Sequence, residues 1–108
     1  MVRTARYVLP QVRRDLQRKM VFGKDLDLRY FRDTDGREVD FVVVDGKRPI
    51  LLVECKWADA EVDRSLRYLK LRFPGAHAWQ LSAVGTKDYQ TPDGIRVAPA
   101  LSLLGSLI

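Results

Sequence analysis

Residues 38–56 read Glu38-Val39-Asp40-Phe41-Val42-Val43-Val44-Asp45-Gly46-Lys47-Arg48-Pro49-Ile50-Leu51-Leu52-Val53-Glu54-Cys55-Lys56. Two apolar runs, 41–44 and 50–53, flank a segment of turn-forming residues, which is the pattern of two antiparallel strands joined as a hairpin. We read strands over 38–44 and 50–56, with a five-residue loop from Asp45 to Pro49. Charge brackets both runs: Glu38 and Asp40 precede the first, and Glu54 and Lys56 close the second. A carboxylate in a buried strand costs several kcal/mol unless it is paired or neutralised. These four residues therefore call for an explanation that packing alone does not supply.

A symmetric loop places Val44 opposite Ile50, Val42 opposite Leu52 and Asp40 opposite Glu54. Directly opposed side chains share a face with Cβ atoms ~4.5–5.5 Å apart. The period of two adds Lys56 to that face, with Glu38 beside it near the strand ends. Two facing carboxylates repel, and a divalent cation between them removes the repulsion. Hard cations such as Mg²⁺ or Mn²⁺ take few carboxylates together with water and phosphate oxygens. The backbone carbonyl of Cys55 is a further candidate ligand, and Lys56 is placed to stabilise charge on a phosphate under attack. The same residues also fit a salt-bridge ladder in which Lys56 neutralises Asp40 and Glu54.

Working outward, Leu28–Arg32 reads as a strand that turns at Asp33-Thr34-Asp35-Gly36 into the hairpin. Before it, residues 4–20 read as a helix, with Val8, Val12, Leu16 and Met20 on one side and arginines on the other. Pro10 is awkward inside that span and would sit better in a first turn, so the expected helix either starts near Leu9 or is kinked there, and Gly23 ends it. After the hairpin, a helix is expected from near Asp59 to Phe73, with the stripe Val62, Leu66, Leu69 and Phe73, stopped by Pro74-Gly75. Strands follow over Ala76–Ser82 and Ile95–Ala98, with a turn at Thr91-Pro92-Asp93-Gly94 and a short last helix over Leu101–Leu107. The order α-β-β-β-α-β-β-α gives an α/β fold, a mixed sheet of four to five strands flanked by helices.

The chain has 108 residues, enough for a single domain with a modest core. One cysteine and one histidine exclude a disulfide framework and His- or Cys-rich zinc chemistry. No apolar run approaches the ~20 residues of a membrane span, and no apolar signal core follows the basic N-terminus. A cytoplasmic protein is expected. The net charge of +5 favours a polyanionic partner such as nucleic acid. Much of that surplus lies early, in Arg3, Arg6, Arg13, Arg14, Arg18, Lys19 and Lys24 against Asp15. The same run of charge also reads as a solvated helix face.

Further candidates lie outside the hairpin strands. Lys47 and Arg48 at the hairpin tip, and Arg67 and Lys70 on the polar side of the second helix, are candidate phosphate contacts. Gln80 on the fourth strand is a candidate accessory group. Trp57 reads as packing under a helix, with base stacking as the alternative. His77 reads as a surface residue and Cys55 as a small buried hydrophobe.

Asp40 followed by Glu54-Cys55-Lys56 resembles the D…(D/E)-x-K signature of the PD-(D/E)xK nuclease superfamily. The superfamily core, a helix, a three-stranded meander, a helix and a strand, matches the reading of residues 4–82. The fuller string Tyr30-Phe31-Arg32…Gly36-Arg37-Glu38-Val39-Asp40-Phe41-Val42…Val53-Glu54-Cys55-Lys56 is similar to the nuclease-like C-terminal domain of a prokaryotic family of AAA-type ATPases, a domain of unknown function. Arg72-Phe73-Pro74-Gly75-Ala76 and Gly94-Ile95-Arg96-Val97-Ala98-Pro99 add to that likeness, which spans roughly residues 4–104. The resemblance implies a restriction-endonuclease-like three-layer core over residues 1–108. It also implies metal ligation by Asp40 and Glu54, a catalytic Lys56, hydrolysis of DNA, and by analogy a homodimer.

The chain departs from the pattern in one respect. Active members commonly add a glutamate from the first helix, but no glutamate precedes Glu38, and Asp15 is the only acid before Asp25. The alternatives are a catalytically inactive module that binds nucleic acid or protein, and a C-terminal domain of a larger ATPase. No Gly-rich loop ending in Gly-Lys-Ser/Thr occurs in these residues, so an ATPase would be a partner or a fused neighbour.

Overall fold

The computed structural model describes residues 26–102 together with Arg14, which is helical. The helix expected over 4–20, including Asp15, otherwise lies outside the described residues, as do residues 103–107 of the expected last helix. Ala100–Ser102 are helical.

Six strands form one mixed sheet: β1 (Leu26–Arg32), β2 (Glu38–Asp45), β3 (Arg48–Lys56), β4 (His77–Ser82), β5 (Tyr89–Gln90) and β6 (Ile95–Pro99). One helix, α1 (Arg64–Arg72), joins β3 to β4. The spatial order is β1-β2-β3-β4-β6-β5. The meander β1-β2-β3 is antiparallel, whereas β4 runs parallel to β3 and β6 runs parallel to β4. The short β5 pairs antiparallel with β6 and had no counterpart in the sequence reading. Two exposed residues carry no alternation to betray a strand.

Side chains alternate across the sheet as a period of two requires. Phe41, Val43, Leu51, Val53, Cys55 and Leu81 form one buried cluster. Val42, Val44, Leu52, Ala78, Ile95 and Val97 pack on the other face with Leu66 and Leu69 of α1. Full burial of each of these two leucines is worth roughly 1.5–3 kcal/mol, and this packing docks the helix. The helix begins at Arg64, not near Asp59. Asp63 is its N-cap, accepting from the Ser65 and Leu66 N–H groups at 2.8 and 3.3 Å. Lys70 and Arg72 sit in its last turn, where they complement the helix dipole.

The hairpin differs from expectation at its tip. Val42↔Leu52 and Val43↔Leu51 pair as expected, but Val44 faces Pro49 and Asp45 faces Arg48. The connection is the two residues Gly46-Lys47, and Ile50 is extra in β3. Gly46 adopts φ 64°, which lets the turn close in two residues. A second irregularity matters more. Arg29 pairs with Val42 and Phe31 with Val39, so two steps along β1 match three along β2. Tyr30 therefore stands opposite both Asp40 and Phe41, and β2 carries a bulge at Asp40.

Candidate active site

The bulge decides where the acids go. Ladder pairing between β2 and β3 runs to Phe41↔Val53 and stops short of Asp40 and Glu54. Carboxylates take over there. Asp40 N–H donates to Glu54 Oε1 at 3.2 Å, and Cys55 N–H donates to Asp40 Oδ2 at 2.9 Å. Each acid thus satisfies a backbone donor beside the other, so the expected Asp40–Glu54 juxtaposition is present, built through the backbone. Bulges commonly re-aim side chains next to functional sites.

Lys56 lies two residues beyond Glu54 on the same side of β3. Its Nζ is 3.6 Å from Glu54 Oε2 and donates to Asp63 Oδ2 at 2.8 Å. The other oxygen of Asp63, Oδ1, holds the first turn of α1, so the helix N-terminus anchors the lysine. Gln80 on β4 supports Asp63 in turn. Its Oε1 accepts from Asp63 N–H at 2.7 Å, and its Nε2 donates to the carbonyls of Ala60 and Glu61 at 3.3 and 3.0 Å. Gln80 is 2% exposed with both ends of its amide bonded, so it positions Asp63.

Three carboxylates surround one ammonium in this half-buried cluster. Burial pushes the Glu54 carboxyl up to about 8, with Asp40 and Asp63 adding repulsion. Burial raises Asp40 as well, against the Cys55 N–H and Lys56, which pull it down. For Lys56, burial acts to lower the pKa, but the hydrogen bond and charge of Asp63 outweigh it and hold the ammonium above its ordinary value. The Cys55 thiol is buried and pushed up by burial, so it is no nucleophile, in keeping with its reading as a small hydrophobe.

Several expected contributors lie elsewhere. Glu38 does not face Lys56. The bulge puts Val39 on the helix side, and the Glu38 carboxylate accepts from the Tyr30 hydroxyl. Lys47 and Arg48 sit at the far end of the hairpin, eight strand residues or roughly 25 Å from Lys56 at ~3.3 Å per residue. Arg48 lies 3.8 Å from Asp45 there. Arg67 pairs with Asp93 at 2.8 Å. Lys70 donates to the carbonyls of Pro74 and Ala76 at 2.9 and 2.7 Å, closing the end of α1. Trp57 is half exposed in the loop after β3, not packed under a helix, and His77 is at the surface. Asp63 was missed altogether. The available signal was an Asp three residues before Leu66, the first buried residue of the apolar stripe, which is the N-cap pattern.

The family model described as "Domain of unknown function (DUF4143)" matches residues 7–103. The chain belongs to this family. No curated protein and no solved structure matches it. No helix among the described residues of this DUF4143 domain is long and apolar enough to cross a membrane.

As a test of metal chemistry, no group of three or more His, Cys, Asp or Glu side chains is placed to hold an ion among the described residues. The donors of the cluster fit a hard cation with few protein ligands all the same. Asp40 Oδ1 carries no hydrogen bond among the described residues, and Glu54 Oε2 has only the longer contact to Lys56. The excess of negative charge is what a divalent ion would neutralise.

Proposed function

We propose that this domain carries a divalent-metal-dependent phosphodiesterase site acting on DNA, on a restriction-endonuclease-like core. The observation that carries the reading is the half-buried set Asp40, Glu54 and Lys56, gathered beside the bulge in β2 where the β2–β3 ladder ends, with more carboxylates than the one ammonium can neutralise. The arrangement of the sheet supports it: an antiparallel meander, a crossover helix and a parallel β4, in the order expected of a PD-(D/E)xK core.

In this reading Asp40 and Glu54 hold Mg²⁺ or Mn²⁺, with the Cys55 carbonyl as a further candidate ligand. Such an ion supplies Lewis-acid stabilisation of the phosphate and a more acidic bound water. Asp63 keeps the Lys56 ammonium charged and fixed in direction. Lys56 then offers its remaining protons to a phosphate oxygen, where negative charge builds as the phosphodiester is attacked. Gln80 holds Asp63, and so Lys56, from behind. The basic balance of the chain favours a polyanionic substrate.

A second reading has its own observation. One oxygen of each of Asp40 and Glu54 is engaged by a backbone N–H at the bulge, and Lys56 is engaged by Asp63. A polar knot that ends the β2–β3 ladder would show the same bonds, in a module that binds nucleic acid or protein without cutting.

Incubation with duplex, single-stranded and branched DNA separates the two. Cleavage that requires Mg²⁺ or Mn²⁺, and that falls at least about a thousandfold in Asp40→Ala and Lys56→Ala, is the expected result. No cleavage of any of the three, with no divalent-metal binding by calorimetry, would leave the second reading standing.

A further inference from the structure

The loop after β4 folds back over the end of β3, with Ala83 N–H donating to the Lys56 carbonyl at 3.0 Å and Val84 N–H to the Trp57 carbonyl at 2.9 Å. Just beyond, two successive backbone N–H groups converge on one anion. Thr86 N–H donates to Asp59 Oδ2 at 3.2 Å, and Lys87 N–H donates to Asp59 Oδ1 at 3.1 Å. Gly85 closes on the same carboxylate. A Cβ there would overlap Asp59 Oδ1 and would stand 2.5 Å from Ser82 Oγ. The serine hydroxyl therefore lies beside the carboxylate. Ser82 is 5% exposed, and its Oγ is buried without a hydrogen-bond partner among the described residues.

A buried hydroxyl with no partner costs free energy and asks for a reason. The local chemistry supplies one. Successive N–H groups in a tight loop form a nest for anions, and glycine lets the anion approach the backbone closely. The planar carboxylate of Asp59 serves the two N–H donors and leaves the third donor, Ser82, unused. A tetrahedral anion has the extra oxygen. The location suits a ligand as well. Ser82 pairs with Lys56 in the parallel register, at the C-terminal ends of β3 and β4, the edge where open α/β sheets bind ligands.

We infer that the Gly85–Lys87 loop with Ser82 is a phosphate-binding subsite that Asp59 occupies in the free chain. A phosphate displaces the Asp59 carboxylate, takes the Thr86 and Lys87 N–H groups, and accepts a third hydrogen bond from Ser82. The assignment of that phosphate to a polynucleotide rests on the reading of the Asp40–Lys56 site, whereas the affinity for phosphate does not.

The test is binding by the full chain in EDTA, so that cleavage plays no part. The probes are a fluorescently labelled oligonucleotide followed by anisotropy, and inorganic phosphate as competitor. Asp59→Asn removes the resident negative charge and keeps one acceptor oxygen. It should tighten oligonucleotide binding about tenfold at low salt, with phosphate competing more strongly. Ser82→Ala in the Asp59→Asn background should reverse most of that gain while leaving the melting temperature unchanged or raised, since it deletes an unpaired group. Unchanged or weaker binding of both probes by folded Asp59→Asn overturns the subsite. A gain for inorganic phosphate alone overturns its assignment to a polynucleotide. Failure of wild-type chain to cleave DNA would remove the nuclease reading and leave these binding results as they are.

Discussion

The two ends of the β2–β3 hairpin both carry opposite charges, and they behave as different materials. At the turn, Asp45 and Arg48 stand 3.8 Å apart with side chains 42% and 77% exposed. At the other end Glu54, on the same hairpin, is 9% exposed and its carboxyl is pushed up to about 8. Similar residue types on the same two strands thus give a screened surface pair in one place and a strained electrostatic cluster in the other. Water makes the difference. The turn lies in a high dielectric with ions to screen it, while the bulge end is covered by the start of α1, which brings a third carboxylate.

The strongest way to break this comparison is to titrate it. The Glu54 carboxyl holds its proton in the folded chain up to about pH 8, whereas in the unfolded chain it ionises in the ordinary carboxylate range. Between those limits the folded state binds the extra proton, so stability falls as pH rises and levels off above about 8. Asp40 moves in the same direction. At about 1.4 kcal/mol per pH unit the Glu54 loss has a ceiling of about 5 kcal/mol. Urea unfolding of metal-free protein at pH 5.5 and 8.5 samples about 2.5 of those pH units, or roughly 3.5 kcal/mol, and Glu54→Gln should flatten the profile. Mn²⁺ should restore stability more at pH 8.5 than at 5.5. Equal stability at both pH values in wild-type chain would falsify the account of a strained cluster.

Next in size is Gln80→Ala. It strands the Asp63 N–H and two carbonyls in a buried place, and should cost about 2–3 kcal/mol in urea unfolding. If Gln80 acts through Asp63 and Lys56, any cleavage should fall with it while metal affinity stays within about twofold. Asp63→Ala is expected to cost about 1 kcal/mol for the lost helix cap. It should also lower the Lys56 pKa, visible as a lower midpoint in the pH titration of the Lys56 side-chain resonances by NMR. A Lys56 signal indifferent to Asp63 would mean that the anchor is not electrostatic. The smallest effect belongs to the turn. Arg48→Ala should change stability by less than about 0.5 kcal/mol, and a loss comparable to Gln80→Ala would erase the contrast between the two ends.

Much of the meander was legible in the chain because alternation and turn residues are local. Phe41–Val44 and Leu51–Val53 announce strands that no neighbour needs to confirm. Local signals were also where the reading erred. Local pattern predicts a symmetric loop from Asp45 to Pro49, yet Gly46 permits a two-residue turn, and the slack is absorbed as an extra residue at Ile50. The bulge at Asp40 was invisible for a different reason: it exists only as a mismatch in step between β1 and β2. Its effect was to turn Glu38 away from Lys56, a change of face that one extra residue always produces.

For the site, Asp40, Glu54 and Lys56 could be singled out because charge inside an apolar strand is anomalous wherever the strand goes. Asp63 and Gln80 could not, because an Asp before a helix and a Gln in a strand are ordinary until they meet. The five longer strands, the helix stripe and the charged residues that a folded core must accommodate were written in the chain, since these follow from periodicity and the cost of burying charge, whereas the two-residue β5 was not. Tertiary structure alone decided which charges share a dielectric. The bulge set the direction of Asp40, and the docking of α1 brought Asp63 to Lys56. Electrostatic energy depends on distance and burial, which residues distant in the chain fix only by packing together.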